Sequence, residues 1–341
     1  MLAPLLLLSV AMAQDVTRHL EQSYPLAPGG SLSLTTQAGR VEVRATDRED
    51  ISLHLLIEGS STEQVNQISV EERRLGSQLQ LSTHWGEESF PPLALAKGLT
   101  LRYTLEVPHD LDLALRHGQG ELVLSGEFTG TLDLRIRQGR LHAERLIGPD
   151  HRIDASLSQV EIEHLHRGRI DLNLGQLILG QAQQLTLETL GTAVEIDQVD
   201  QLDLSADLGS IDLGRVGRVR GHYGTAQVQI DTLAQSLDLE GKLAPALTID
   251  HLGEQVAFLR LTGQASSLEL RSLSVAALFL EVEDARFEST GLEADEPFES
   301  PAETGGGQNY RLTPPAVGRS APGTLKIQLP PEGGRCEVRL K

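Results

Sequence analysis

The amino-acid sequence predicts an all-β protein: a β-solenoid, a parallel β-helix-like stack of short coils, with an N-terminal strand-rich cap and a C-terminal hairpin. Three observations carry this expectation. First, fragments such as Leu111-Asp112-Leu113-Ala114-Leu115, Leu132-Asp133-Leu134, Val160-Glu161-Ile162, Ile170-Asp171-Leu172 and Val228-Gln229-Ile230 place aliphatic residues at i and i+2 around an outward, often acidic, residue. Period-two alternation is the mark of a half-buried strand, and these strands begin roughly 8 to 11 residues apart, the spacing of a quasi-repeat. Second, glycines such as Gly120, Gly139, Gly175 and Gly209 fall between the fragments, where narrow coils must bend tightly. Third, only Pro149 and Pro245 occur between 109 and 296, as central strands that need their N–H groups require.

The elements follow in order. Met1–Ala13 reads as a signal peptide: Leu5–Val10 form an apolar core, and Ala11 and Ala13 supply small residues before Gln14, although a basic n-region is missing. Residues 14–108 read as the β-rich capping section. It begins with a lead-in over 14–30 and continues with period-two runs at Ser31–Thr35, Arg40–Arg44, Ile51–Ile57, Gln78–Ser82 and Leu99–Val107. Thr62–Arg73 is the best helical candidate, but Ile68 and Val70 at period two argue for strand. Residues 109–288 carry the solenoid repeats. The expected inward column comprises Leu113, Leu124, Leu134, Ile162, Leu172, Ile196, Leu204, Leu213, Ile230, Leu239 and Ile249. Residues 289–324, with five prolines, Gly305-Gly306-Gly307 and several acids, read as a flexible acidic loop. Residues 325–341 resume strand character and form a hairpin expected to cover the end of the stack. Whether each coil has two or three sides is left open by the pattern.

Composition narrows the functional classes. With 341 residues and a formal charge of −19, from 48 acidic against 29 basic residues, the chain repels phosphate backbones, so a nucleic-acid partner is not expected. One Trp, four Tyr and six Phe leave few platforms for stacking sugars or bases. No stretch is apolar for long enough to span a bilayer as a helix. Together with the leader, this predicts an exported protein of the bacterial periplasm or cell surface. Cys336, the only cysteine, allows no intrachain disulfide and reads as strand packing.

Gly39-Arg40-Val41-Glu42-Val43, Leu101–Val107 running into Pro108, and Gly120-Glu121-Leu122-Val123-Leu124 with its successors resemble the DUF4097 group of bacterial β-strand-repeat, adhesin-like (auto-transporter adhesin-like) proteins. The similarity covers roughly residues 31–283. It implies an early strand section leading through a Val-Pro step into a β-helical stack, and it carries over no catalytic residue.

Chemistry-bearing constellations are sparse. His164-Leu165-His166 sets two imidazoles close together, with His151 upstream. A metal there needs a third ligand from an adjacent coil, Glu161 or Glu163, and solvent-facing histidines are the simpler reading. Paired acids such as Asp200/Asp203 and Asp207/Asp212 are so frequent that the carboxylate spacing of a glycosidase discriminates little. Arg116, Arg135, Arg137, Arg140, Arg145 and Arg152 are modestly clustered without aromatic support. The nine-residue calcium-binding Gly-Gly-x-Gly-x-Asp repeat, a phosphate loop and a nucleophile elbow are all missing, so no cofactor is expected. The expectation is a non-catalytic binding or scaffolding module for an envelope protein or polysaccharide. The rival is a carbohydrate-active hydrolase or lyase on the same fold.

Overall fold

The computed structural model describes residues 16–26, 29–85, 98–242, 245–256, 258–264, 266–273, 278–283, 286–290, 293–294, 308–313, 323–329 and 334–340. The signal-peptide reading of 1–13 lies outside them. The chain is a β-solenoid whose coils have two sides, each coil laying one strand on wall A and the next on wall B.

The N-terminal elements are β1 (Val16–Pro25), β2 (Ser31–Thr46), β3 (Asp50–Gly59), the single helical turn α1 (Thr62–Asn66), β4 (Ile68–Leu75), β5 (Gln78–Trp85) and β6 (Thr100–Pro108). Ser61 caps α1 by accepting from the Gln64 N–H at 3.2 Å, and Ile68 then starts a strand, so the Thr62–Arg73 segment divides between the two expected states. The lead-in is itself a strand, β1, antiparallel to β3. β2 does not belong to a separate cap. Its residues 31–44 pair in parallel with β7 (Asp112–Phe128), which makes β2 the first coil, so the stack begins well before residue 109. On the other side of β2, β5 continues wall A and β6 continues wall B, and the antiparallel β4, β3 and β1 then close that end.

From β7 onward come β8 (Leu132–Leu146), β9 (His151–Ser156), β10 (Ser158–Asn173), β11 (Gln176–Tyr223), β12 (Gln227–Gly241), β13 (Ala246–Leu252), β14 (Phe258–Gly263) and β15 (Ser267–Leu273), all paired in parallel coil to coil. Wall A stacks Leu34 on Leu115, Leu134, Ile153, Ile170 and Leu187. Wall B stacks Val41 on Leu122, Leu141, Val160 and Leu177. The eleven residues expected inward, from Leu113 to Ile249, are each at most 2% exposed and belong to one continuous cluster. Each such aliphatic contributes about 1.5–3 kcal/mol, which outweighs the few tenths lost to like charges stacked on the outer face. Coils repeat at 19 residues where Gln119 meets Gln138, and at 17 residues where Ser205 meets His222. The coil shortens because Leu165–Arg167 turns from wall B to wall A more tightly than the Ile147–Asp150 connection before it.

One corner explains much of the glycine usage. At Gly139 the backbone has φ 150°, and a Cβ would lie 1.9 Å from the Gly120 carbonyl oxygen, so no larger residue fits. Just before this position in later coils the chain turns left-handed at Leu157, Leu174, Gly191 and Leu208, with φ of 51°, 55°, 64° and 61°. The three leucines are 60%, 55% and 54% exposed, which leaves an apolar row along this corner.

The C-terminal strands are β16 (Leu278–Glu283), β17 (Arg286–Thr290), β18 (Glu293–Ala294), β19 (Gln308–Thr313), β20 (Gly323–Gln328) and β21 (Gly334–Leu340). Among the described residues β20 and β21 do not pair with each other as a hairpin, and instead of covering the end of the stack they lie within it. β20 lies antiparallel between β15 and β17 on wall B, and β21 lies antiparallel between β14 and β16 on wall A. The returning chain thus inserts one strand into each wall, as a coil run backwards between β14/β15 and β16/β17. Leu325, Ile327 and Val338 are buried there, and Cys336 fills the rung beneath Leu261. The segment 289–324 is not wholly a loop, since β19 pairs with β16 and β18. The remainder of that expected loop lies outside the described residues.

Two leucines, one within β10 and one at the corner just after it, should respond differently to substitution. Leu172→Ala opens a cavity in the column and is expected to cost about 2–5 kcal/mol. Leu174→Gly removes an exposed side chain from a left-handed position that Gly191 occupies in the next coil, and is expected to change stability by less than about 1 kcal/mol. Urea unfolding followed by circular dichroism compares them, and equal losses would contradict the assignment of Leu174 to a strained corner.

Candidate functional site

Outward side chains of a two-sided coil repeat in register, so residues one coil apart become neighbours. Arg167 pairs across to Gln184. The 17-residue coil that brings Arg220 to Asp203 also places Gln201 and Arg218 at the matching positions of the next coils. The rungs Asp150, Arg167, Gln184, Gln201 and Arg218 line one side of a groove of about 580 Å³ on wall A. A parallel column of Arg169, Thr186, Asp203, Arg220 and Asp238 runs beside it. An adjoining depression of about 520 Å³, bordered by Glu188, Ser205, Glu240 and Thr262, shares Thr186, Asp203, Arg220 and Asp238 with it and extends the trough.

The charges in the second column alternate. Arg220 grips Asp203 through Nε and Nη2, the latter at 2.7 Å from Oδ2. Asp238 faces Arg260 at 3.6 Å. Arg169 reaches Glu188 at 2.8 Å and Asp171 at 3.2 Å, and both partners hold its guanidinium further toward the charged form. In the first column the pattern differs. Arg218 donates to the Gln235 amide oxygen at 2.7 Å, and among the described residues no carboxylate lies within ion-pair distance of Arg167 or Arg218. The trough therefore presents two guanidiniums without carboxylate partners, two glutamine amides between them, and a floor of backbone and Thr186.

The residues singled out from sequence fall elsewhere. Glu161 projects from wall B, where His142 approaches it at 3.6 Å. His164 ends that wall strand, opposite Arg145 and Gln181, and His166 lies exposed at the turn beyond. Among the described residues no three of His, Cys, Asp and Glu gather into a metal-binding group. The arginine cluster is split by the alternation of walls. Arg116 and Arg135 are rung neighbours on wall A, whereas Arg140 stands on wall B, and so does Arg145, which pairs with Glu127 at 2.9 Å. The trough arginines were missed because they lie far apart in sequence. Writing the chain in lines of 17 residues would have aligned them.

A serine and a histidine do meet. Ser205 Oγ and His222 Nε2 are 3.0 Å apart on wall A, and Glu240 occupies the rung after His222. The constellation resembles the beginnings of a nucleophile and base. A wall strand, however, commits its N–H groups to the ladder, and so offers no backbone oxyanion hole beside the hydroxyl. The trough carboxylates Asp203 and Asp238 each oppose an arginine rather than one another, which is unlike a coupled acid/base pair.

No family model matches the chain, and no curated protein matches it. Solved structures similar to it include a candidate adhesin from Parabacteroides distasonis ATCC 8503, with 8% identity, a TM-score of 0.33, and coverage of 74% of this chain and 96% of that one. A candidate adhesin from Bacteroides fragilis NCTC 9343 has 11% identity, a TM-score of 0.29, and coverage of 74% and 94%. A candidate cell adhesion protein from Clostridium sporogenes ATCC 15579 has 9% identity, a TM-score of 0.24, and coverage of 69% and 100%. Among the described residues no helix is long and apolar enough to cross a membrane.

Behind the outer face of wall A lie two buried histidines. His117 shares a hydrogen bond of 2.7 Å with the Thr36 hydroxyl through Nδ1, while among the described residues its Nε2 meets no partner. Among the described residues neither ring nitrogen of His151 completes a hydrogen bond. Burial pushes both pKa values down to about 4; at His151 nearby His166 adds to this and Asp150 opposes it. In the unfolded chain both titrate near pH 6.5, so the unfolded state binds more protons once pH falls below that value. Stability is thus expected to be unaffected by these groups above about pH 6.5 and to fall by roughly 3 kcal/mol per histidine as pH approaches 4. Melting temperatures at pH 7.5 and 4.5 measure the loss. His151→Leu should remove about half of it, and an undiminished loss would show that the acid sensitivity arises elsewhere.

Proposed function

We propose that this chain is a non-catalytic binding module of the bacterial cell envelope, an adhesin-like β-solenoid of the DUF4097 type, and that the trough on wall A is its ligand face. The supporting observation is the regular double column of polar side chains over a groove of about 580 Å³, held on strands whose packed column leaves them little freedom to move. A rigid, repetitive face suits an extended partner that repeats along its own length, which favours a polysaccharide over a globular protein. Export rests on the apolar leader of Met1–Ala13. The rival, a carbohydrate-active enzyme, draws its support from Ser205, His222 and the trough carboxylates. The arginine partners of Asp203 and Asp238 weigh against it, because each carboxylate is engaged in an ion pair and neither faces the other.

Thr186 lines both depressions, so Thr186→Trp should block the trough. Ile178→Trp, on the outer face of wall B, is the matched control. Co-sedimentation with purified bacterial envelope polysaccharide is expected to weaken at least about tenfold in the first variant and to be unchanged in the second. Reducing ends or unsaturated termini should not accumulate during incubation. Equal binding by both variants would remove the trough from the site, and steady release of ends would favour the enzyme.

A further inference from the structure

Arg167 and Arg218 occupy the same position on coils three rungs apart, with Gln184 and Gln201 on the rungs between. We infer that the trough takes an acidic polysaccharide lying parallel to the stack axis, one sugar per coil, with carboxylates on sugars three apart gripped by Arg167 and Arg218. This inference rests on the wall-A reading above and specifies the ligand it would take.

The step size selects the polymer. Rungs of a β-stack are about 4.8 Å apart, so the two guanidiniums are separated by roughly 14 Å along the axis. A pyranose ring linked through opposite ends advances by nearly one rung, so such a chain stays in step. An extended peptide rises only about 3.3 Å per residue and alternates its side chains, and so drifts out of register within a few coils. Between the arginines, each glutamine amide can donate to a carboxylate or hydroxyl and accept from a hydroxyl. A hydroxyl-rich chain satisfies both roles, whereas a bare polyphosphate offers no donors.

The net charge of −19 opposes any polyanion at long range. That repulsion is screened beyond about 8 Å at physiological salt, while the contacts at the trough are direct. Within the groove, Asp203 is already held by Arg220, and Asp238 faces Arg260. Asp150, one rung before Arg167, is the acid that competes, and it stands at the end of the row rather than between the arginines. The guanidinium forks are suited to bidentate carboxylate capture.

Isothermal titration of the purified full chain with trigalacturonate, tetragalacturonate, neutral cellotetraose and polyphosphate tests the proposal. The tetramer alone reaches both arginines and is expected to bind about tenfold more tightly than the trimer. Arg167→Gln and Arg218→Gln, both at exposed positions with unchanged melting curves, should each abolish that gain. Cellotetraose binding as tightly as the tetramer would overturn the acidic ligand while leaving a glycan-binding trough in place. Polyphosphate binding as well as the tetramer would reduce the site to a general anion patch and overturn the proposal, as would a trimer-to-tetramer gain that persists in both variants. Failure of every oligosaccharide, with Thr186→Trp still weakening envelope polysaccharide, would overturn it and spare the broader reading.

Discussion

Constant register between coils is the constraint from which the rest of this structure follows. Each coil must deliver an aliphatic pair to each wall at the same height as its neighbours, because the two walls have only the column between them as a core. A shift of one residue would turn that pair outward and its charged neighbours inward. The 17-residue coil satisfies the rule without further correction from Ser158 to Val216. Where coils are longer, bulges after Leu124 and Val216 restore the alignment.

The same regularity shapes the chemistry. Inward positions are given over mainly to apolar residues, most of them aliphatic, with His117, His151 and a few hydroxyl-bearing side chains as polar exceptions. Outward positions carry no such demand, so ladders of side chains can be composed almost freely along the axis. On wall A the result is one column in which arginines and acids of opposite sign follow one another around Thr186, and beside it a column in which two arginines flank two amides. The excess negative charge of the chain is thus unevenly spent: where acids meet arginines it is locally cancelled, and the trough lies within such a zone.

Most of the architecture was legible in the chain because the aliphatic i, i+2 pairs report the walls directly. The two-sided cross-section was implicit in strands starting at half the coil length, but period two alone cannot say which wall a strand joins. The same ambiguity grouped Arg140 and Arg145 with Arg135, although they face opposite directions. The assignment of β2 to the stack depended on a partner, β7, that follows some eighty residues later, with the whole capping section intervening. The trough was hidden for a related reason: Arg167 and Arg218 become neighbours only through three coils of accumulated register. The single turn α1 and the left-handed leucines depend on local geometry that hydrophobic pattern does not encode.

The backward-running final coil has a consequence for how such a molecule can change size. β20 and β21 already occupy the outer sides of β15 and β14, and β5 and β6, backed by the antiparallel β4, β3 and β1, occupy the far side of β2, so a coil added directly after β15 or before β2 would break existing strand pairs. Lengthening must therefore proceed by duplicating whole turns in the interior. Each duplication would extend the grooved face by one step, so the reach of the molecule along an elongated partner could be adjusted in discrete units without rebuilding either terminus.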